Sequence, residues 1–253
     1  CFYREAEKSN RQKYYKNQLR KLKKHNKSYF QNSKPEISDA EYDELKKEIL
    51  LLEKKYDFLN TENSASEIVG YKPSKNFKKS SHRVPMLSLS NAFTRDDLIN
   101  FEKKIINYLS ENKNFKLFYS AEPKIDGISA SLTYKNGIFI KGLSRGDGKE
   151  GEDITENLKT IKDIPKQITS VNFPKEIDIR GEVFIKNSEF KNISQKFSNP
   201  RNAASGSLRQ KNPEDTKKIP LNFIAYTFGF QNGLIQNNQS DFLKELNNWG
   251  FKV

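Results

Sequence analysis

The feature of this sequence that most constrains its fold is a change in the period of its apolar residues. Between residues 38 and 56 they recur every three or four positions, which is the spacing of an amphipathic helix. From residue 116 onward short runs alternate apolar and polar residues, which is typical of strands. Separate stretches of the two patterns predict an α+β fold, with a helical N-terminal part followed by a larger part that contains antiparallel sheet.

The helical part carries a clear start signal. Ser38 and Glu41 form a capping box, in which Ser38 caps the third amide of the helix and Glu41 reaches back to Ser38. The segment before it, to about Lys34, is dense in Lys, Asn and Tyr and predicts a helix with an exposed basic face. We therefore predict two helices over residues 1–60, joined by a turn around Pro35.

A domain boundary is predicted near Gly70. Between Thr61 and Ser81 the helical period fails, and Ser, Asn and Lys dominate with single Gly and Pro residues, as in a linker. Residues 1–70 are accordingly interpreted as a small helical domain with its linker, and residues 71–253 as the larger domain.

In the larger domain, Thr94 is a second cap signal and predicts a helix that continues to Leu109. The apolar segment 84–93 before it is typical of a buried core segment. Asn136 and Gly137 form a strong hairpin turn, and the short connections indicate mainly antiparallel pairing. The predicted strands are residues 116–122, 128–134, 138–140, 177–180 with 182–185, and 221–230.

Composition limits the class of protein. Lys and Arg number 45 against 32 Asp and Glu, a formal charge of +13 that favours a polyanionic partner. Abundant Lys, Asn and Ile also suit an AT-rich genome, which weakens that argument. One Cys excludes a disulfide framework or a Cys-based zinc site in this stretch, and no apolar run approaches the roughly 18 residues of a membrane span. Because it starts at Cys1, the chain is expected to be an internal piece of a longer product.

The most pointed motif is Glu122-Pro123-Lys124-Ile125-Asp126-Gly127. On a strand, Glu122, Lys124 and Asp126 would share one face. A lysine is a nucleophile only when its amine loses a proton, and flanking carboxylates oppose that loss. A nucleophilic Lys124 would therefore need compensation by a metal ion or another lysine. A surface strand with alternating charges has the same pattern.

Two glycine-containing motifs follow. In Ser144–Gly148 the glycines permit close approach to a ligand, and Arg145 can bind phosphate or stack on a base. The same string is also an ordinary tight turn. In Ile179–Phe184 an acidic residue, Glu182, follows a glycine within a predicted strand.

Two further segments suit nucleotide recognition. Ser198–Arg209 combines small polar residues with Arg201 and Arg209, which favours contact with phosphates, although a solvated loop has this composition too. Asp39 and Asp43 are four residues apart on one helical face beside Tyr42, a possible cradle for a cationic ring or simply a capped, solvated helix start.

In this order the motifs resemble the NAD-dependent DNA ligases of bacteria, and the resemblance runs along nearly the whole chain. It rests on the strings SDAEYDEL, VPMLSLSNAF, EPKIDG, SRGDG, RGEVF and NPRNAASGSLRQ. The resemblance implies a nucleotidyltransferase domain of the DNA ligase and mRNA-capping type, related to ATP-grasp folds, with antiparallel sheets and flanking helices, behind a helical nicotinamide mononucleotide domain.

The activity implied by the resemblance is NAD-dependent DNA ligation. Lys124 would attack NAD+ and become adenylylated, AMP would pass to the 5′-phosphate of a nick, and the 3′-hydroxyl would then seal it. The implied cofactors are NAD+ and Mg²⁺ or Mn²⁺, with zinc expected only in a C-terminal module outside this chain. The implied partner is nicked double-stranded DNA, and a cytoplasmic, nucleoid-associated monomer without a membrane partner is expected.

The family's site residues carry over by motif. Lys124 is implied as the nucleophile, with Asp126 orienting it or helping to place a metal ion, although no set of metal ligands is implied. Arg201 and Arg209 are implied to contact nucleotide or DNA phosphate. The implied AMP contacts are Ser88, Leu89, Glu122, Arg145 and Glu182, and the implied contacts of the nicotinamide mononucleotide helix are Tyr29, Asp39, Ala40, Glu41, Tyr42 and Asp43.

The sequence departs from the family pattern in three ways, one of which is that the family's oligonucleotide-binding fold, Cys-rich zinc module and helix-hairpin-helix modules are expected to lie outside this chain. Phe30 stands where many members have His or Tyr, so a polar contact is expected to be lost while stacking remains. The family's further nucleotide-site lysines are expected beyond Val253.

Two alternatives stay open at this point. ATP-using ligases share the Lys-x-Asp-Gly nucleophile but have no need of the SDAEYD segment, and a shortened chain would bind nucleotide or nucleic acid without turnover.

Overall fold

The computed structural model describes residues 2–30, 36–59, 77–109 and 117–253. The chain divides into two compact bodies, one formed by Cys1–Met86 with Ile125–Val253 and the other by Leu87–Lys124. Within the described ranges the helices are α1 (Phe2–Phe30), α2 (Asp39–Lys55), α3 (Arg95–Tyr108), α4 (Thr155–Leu158), α5 (Asn187–Phe190), α6 (Pro200–Leu208), α7 (Pro213–Lys217) and α8 (Gln239–Asn248), with a 3-10 turn at Asp57–Leu59. The strands are β1 (Lys79–Ser81), β2 (Ile128–Lys135), β3 (Ile138–Ser144), β4 (Glu150–Glu152), β5 (Glu176–Phe184) and β6 (Asn222–Asn232).

The predicted helices of the N-terminal part, α1 and α2, pack through a small apolar core. Leu22 and Ile49 are fully buried at its centre, and Leu59 closes it. The predicted capping box is confirmed, because the Ser38 amide donates to Glu41 Oε2 at 2.8 Å and Ser38 Oγ accepts from the Glu41 amide at 3.3 Å. The turn at Pro35 and the boundary at Gly70 lie outside the described residues.

The main sheet has the order β3-β2-β5-β6, and every neighbouring pair is antiparallel, as predicted. The β2–β3 hairpin turns at Asn136 and Gly137, whose φ angles of 50° and 75° fit the left-handed turn expected for this dipeptide. A second, two-stranded sheet pairs β1 with β4.

The two faces of the main sheet differ in chemistry. On β5, Ile177 and Ile179 point into an apolar core that includes Tyr134, Phe223 and Phe251. The alternate residues of β5 are Asp178, Arg180 and Glu182, and they are buried as well. Because successive strand residues point to opposite faces, the sheet has one apolar face and one buried polar face.

The second body, Leu87–Lys124, contains α3, whose predicted cap is confirmed by reciprocal hydrogen bonds between Thr94 and Asp97. None of the α3 residues is buried. The predicted buried segment 84–93 is wrong except at Met86, because Val84 is 39% exposed and Leu87 and Leu89 are both 78% exposed.

The predicted strand at residues 116–122 is also wrong for the part described, since 117–122 form no strand. Within the described residues no strand pairs with them, and Pro123 supplies no amide hydrogen for a ladder. The expectation that Glu122, Lys124 and Asp126 share a strand face therefore fails. None of the helices in the described ranges is long and apolar enough to cross a bilayer.

Candidate functional site

The polar face of the main sheet gathers side chains from neighbouring strands. Ser129 on β2 is paired with Glu182 on β5, and the Ser129 hydroxyl donates to Glu182 Oε2 at 2.8 Å. Arg145 directly follows β3, and its amide donates to the carbonyl of Ser129 at 3.2 Å. The strand register thus brings a carboxylate, a hydroxyl and a guanidinium together, and we call Ser129, Arg145, Glu182 and Tyr226 the polar cluster.

Tyr226 enters the polar cluster through a β-bulge. Arg180 pairs with Thr227 while Gly181 pairs with Ala225, so Tyr226 is the extra residue between them. A bulge redirects a side chain from the regular alternation of its strand. Burial, together with the charge of Glu182, raises the pKa of Tyr226 further above physiological pH, so the phenol is neutral there.

Arg145 is the cation of the polar cluster. Burial lowers its pKa, while Tyr226 and Glu182 oppose that shift and Arg201 adds to it. A guanidinium stays charged in spite of such a shift, because its ordinary pKa lies far above neutrality. The cluster therefore combines a largely buried positive charge with a carboxylate and an aromatic ring.

The glycine-containing loop after β3 is a rigid turn. Gly146 and Gly148 have φ angles of 59° and 89°, which favour glycine. Asp147 Oδ1 accepts from the amides of Lys149 and Glu150 at 2.9 and 2.8 Å. The loop is thus the tight turn that the sequence allows, and it fixes the backbone beyond β3.

The segment that precedes Leu87 is fastened to the polar face of the sheet. Arg180 donates to the carbonyls of Val84 and Pro85, and His82 Nε2 lies 3.1 Å from the carbonyl oxygen of Arg145. Burial lowers the pKa of His82, so this ring is held neutral and can donate from Nε2. The segment from His82 to Pro85 is therefore held by hydrogen bonds to Arg145 and to Arg180.

Asp126 and Arg201 form an ion pair in the first body. Arg201 Nη1 lies 2.8 Å from Asp126 Oδ1, with the Asp126 side chain 77% exposed and that of Arg201 21% exposed. Arg201 lies in the first turn of α6, where Asn199 caps the helix by accepting from the Asn202 amide at 2.7 Å. The two residues assigned to catalysis and phosphate contact by the resemblance are thus in direct contact.

Arg209 is held by a buried carboxylate. Its Nε donates to Glu152 Oε2 at 2.9 Å, and its Nη1 lies 3.3 Å from the Ser205 hydroxyl. The Glu152 side chain is 1% exposed, whereas that of Arg209 is 35% exposed. The guanidinium is therefore oriented from the protein interior while part of it reaches solvent.

The second body carries the remaining predicted residues of the adenylylation site. Lys124 is its last residue, and its side chain is exposed. Glu122 Oε1 accepts from the Ser120 hydroxyl at 2.9 Å. Ser88 and Leu89 are exposed in the segment before α3.

The helical pair carries the residues predicted to contact nicotinamide mononucleotide. The Tyr42 hydroxyl donates to Asn26 Oδ1 at 2.6 Å, and Asp43 is half-buried beside it on α2. Glu41 belongs to the capping box, and the hydrogen bond from the Ser38 amide lowers its pKa. Among the residues named for this end of the nucleotide, the side chains of Tyr29, Phe30, Asp39 and Ala40 lie outside the described set.

Comparison with known proteins assigns the helical part and the sheet-containing part to domains of one protein family. Residues 74–253 match the family model of the NAD-dependent DNA ligase adenylation domain, and residues 8–70 match that of the DNA ligase-like, N-terminal NAD+-binding domain. The chain belongs to the NAD-dependent DNA ligase family.

Curated relatives of this ligase family are close in sequence. The chain is 63% identical over 232 residues to the DNA ligase of Pelagibacter ubique (strain HTCC1062), covering 92% of this chain and 34% of that protein. It is 44% identical to the DNA ligase of Parvibaculum lavamentivorans, again covering 92% of this chain and 34% of the relative. The chain thus spans about a third of the length of these relatives.

Sequence reasoning missed Tyr226 and Asn26. The alternation in 221–230 indicates a strand, but it gives no sign of the bulge that turns Tyr226 toward Glu182. Asn26 looks like one more polar residue in a Lys- and Asn-rich helix. Its burial depends on the packing of α1 against α2.

Proposed function

We propose that this chain carries out the adenylylation step of an NAD-dependent DNA ligase. Lys124 Nζ, after losing a proton, attacks the α-phosphate of NAD+ and forms a phosphorus–nitrogen bond. The phosphorus–oxygen bond to nicotinamide mononucleotide breaks, and that group leaves with the electron pair. The observation that carries the proposal is the polar cluster on the sheet of a chain from this family.

We extend the proposal to the architecture. The antiparallel sheet with flanking helices supports a nucleotidyltransferase domain of the DNA ligase and mRNA-capping type, occupying residues 71–253. Residues 1–70 form the nicotinamide mononucleotide domain with its linker. The capped pair α1 and α2 supports this division.

The polar cluster suits the AMP part of NAD+. Phosphoryl transfer depends on positioning and on neutralising charge, and Arg145 and Arg201 supply positive charge. Glu182 can accept from ribose hydroxyls, and the Tyr226 ring offers a face on which a base can stack. Ser88, Leu89 and Glu122 are the further AMP contacts that we propose.

The nicotinamide end suits the helical pair. Its pyridinium ring is a cation, which the carboxylates of Asp39 and Asp43 and the ring of Tyr42 would attract. Tyr29, Ala40 and Glu41 complete the proposed contacts. The two ends of one dinucleotide are thereby recognised by different chemistry.

Lys124 must lose a proton in order to react, and nearby carboxylates hinder that loss. Asp126 is itself paired with Arg201, whose guanidinium partly neutralises the carboxylate. The described residues contain no group of three or more His, Cys, Asp or Glu side chains suited to a metal ion. Mg²⁺ fits nevertheless, since it commonly takes only one or two carboxylates together with substrate phosphates.

Asp126 is the residue that would hold the magnesium ion. When bound there, the ion would neutralise charge on the phosphates of the nucleotide.

For the whole protein we propose nicked double-stranded DNA as the partner, with AMP passed to its 5′-phosphate. Arg201 and Arg209 would contact phosphate, and the formal charge of +13 supports such a partner.

The proposal is tested by incubating the purified chain with NAD+ and Mg²⁺ and weighing it intact by mass spectrometry. We expect a gain of one AMP, which is absent in Lys124→Ala and retained in Lys135→Ala, a control at another exposed lysine. An AMP adduct that persists in Lys124→Ala would contradict the assignment of the nucleophile. No adduct in the unaltered chain would contradict the adenylylation proposal for this chain.

A further inference from the structure

Asn26 is a buried polar residue of the helical pair to which the adenylylation proposal gives no role. It lies on α1 and is 2% exposed, and its Oδ1 accepts from the hydroxyl of Tyr42 on α2 at 2.6 Å. Tyr42 is only half-buried and packs at the edge of the core formed by residues such as Leu22 and Ile49. Asn26 thus reaches from inside the core to a residue at its surface.

This hydrogen bond determines what Tyr42 can offer to a ligand. A phenol has one proton, and Tyr42 donates it to Asn26, so the hydroxyl is not available as a donor to phosphate or ribose. The ring remains the part of Tyr42 suited to a ligand. Its long axis is held at both ends, by the Cα atom on α2 and by the hydroxyl contact to α1, and the phenolic O–H, which prefers the plane of the ring, ties that plane to the direction of Asn26 Oδ1.

We propose that Asn26 is a positioning residue that fixes the Tyr42 ring for the cationic ring of nicotinamide mononucleotide. The inference rests on the proposed function and adds a residue to its nicotinamide end. The attraction of a cation to an aromatic ring requires the cation over the ring face, within about 6 Å of the centroid. A ring held at both ends meets this requirement with less loss of conformational freedom on binding.

A second tyrosine in the same core provides a matched control. Tyr15 donates its hydroxyl proton to Glu53 Oε1 at 2.7 Å, which is the same kind of contact between the same two helices. Tyr15 is 4% exposed, so its ring is enclosed in the core. Loss of the Tyr15 hydroxyl therefore tests the stability of the helical pair without touching Tyr42.

The experiment measures binding of nicotinamide mononucleotide and, separately, of AMP to the whole 253-residue chain by calorimetry, together with thermal unfolding. The variants are Asn26→Leu, Tyr42→Phe, the double variant and Tyr15→Phe. We expect Asn26→Leu and Tyr42→Phe each to weaken nicotinamide mononucleotide binding by roughly three- to tenfold. The double variant should be no weaker than either, because both changes remove one shared contact.

AMP binding should stay unchanged in all four variants, and Tyr15→Phe should alter only the unfolding temperature. Asn26→Asp retains an acceptor oxygen and should keep near-normal affinity, which covers the case in which Asn26→Leu does not fold. Unchanged affinity in Asn26→Leu, additive losses in the double variant, or equal losses for AMP would each overturn the positioning role. An unaltered chain that binds AMP but no nicotinamide mononucleotide would overturn the nicotinamide end of the proposed function, and the role of Asn26 with it.

Discussion

The main sheet and the helical pair both bury polar side chains, but they arrange them differently. On the sheet, strand register aligns Ser129 with Glu182, and a cation, Arg145, follows the neighbouring strand. In the helical pair, two of the buried polar contacts join a tyrosine hydroxyl on one helix to an acceptor on the other. The sheet therefore concentrates charge, whereas the helices set the direction of aromatic rings.

The largest expected effect compares the two apolar cores. Phe223 and Leu22 are both fully buried, the first beneath the sheet and the second between α1 and α2. We expect Phe223→Ala to lower the free energy of unfolding by about 3–5 kcal/mol, and Leu22→Ala by about 2–3 kcal/mol because two helices can close more readily around a cavity. Urea unfolding measures both losses. A larger loss of unfolding free energy for Leu22→Ala than for Phe223→Ala would contradict the view that the helical core closes more readily around a cavity.

The second prediction separates the two ends of NAD+. Glu182→Gln should slow AMP loading by about 100-fold, the usual scale for one preorganised polar group, without changing the binding of nicotinamide mononucleotide. Asp43→Ala should weaken the binding of nicotinamide mononucleotide and leave AMP binding intact. Intact mass spectrometry follows loading, and calorimetry follows both ligands. If either variant impaired binding of both ligands equally, the sheet and the helical pair would not recognise different ends of NAD+.

The smallest expected effect is the acid sensitivity that His82 contributes beside the sheet. Burial lowers the pKa of His82, and Arg180 lowers it further, while the carbonyl of Arg145 and the charge of Asp178 oppose them. The unfolded chain therefore binds the proton more readily, so stability is lost as the pH falls below about 6.5.

The single tryptophan, Trp249, belongs to the sheet core, and its fluorescence reports unfolding there. We expect the free energy of unfolding reported by Trp249 to fall on acidification. His82→Gln should flatten this dependence on pH, because glutamine does not titrate but still donates a hydrogen bond. Circular dichroism at helical wavelengths provides the parallel measurement. An unchanged slope in His82→Gln would assign the acid sensitivity to other groups.

Local patterns predicted local structure well. The capping boxes at Ser38 and Thr94 and the turn at Asn136 each depend on residues within three or four positions, and the structure contains all three. The strand expected at 116–122 failed because a strand requires a partner, which a run of alternating residues cannot supply.

The candidate site was partly predictable for the same reason. Family motifs name Arg145, Glu182 and Arg201, but the contact of Arg201 with Asp126 joins residues 75 positions apart. Tyr226 depends on a bulge and Asn26 on the fit of two helices, so neither leaves a signal in the sequence. The chemistry of the site is thus easier to predict from sequence than the supports that hold it.

Gly127 follows the proposed nucleophile by three residues, and its place in the fold bears on how the gene can change. A Cβ atom there would overlap the backbone carbonyl oxygen of Val183, whose residue is paired with Ile128 in the sheet. That oxygen cannot withdraw without breaking the strand pairing. Every amino-acid replacement at this codon is therefore expected to be lost from a population because the chain folds poorly. The constancy of this glycine would record selection on folding as well as on the reaction.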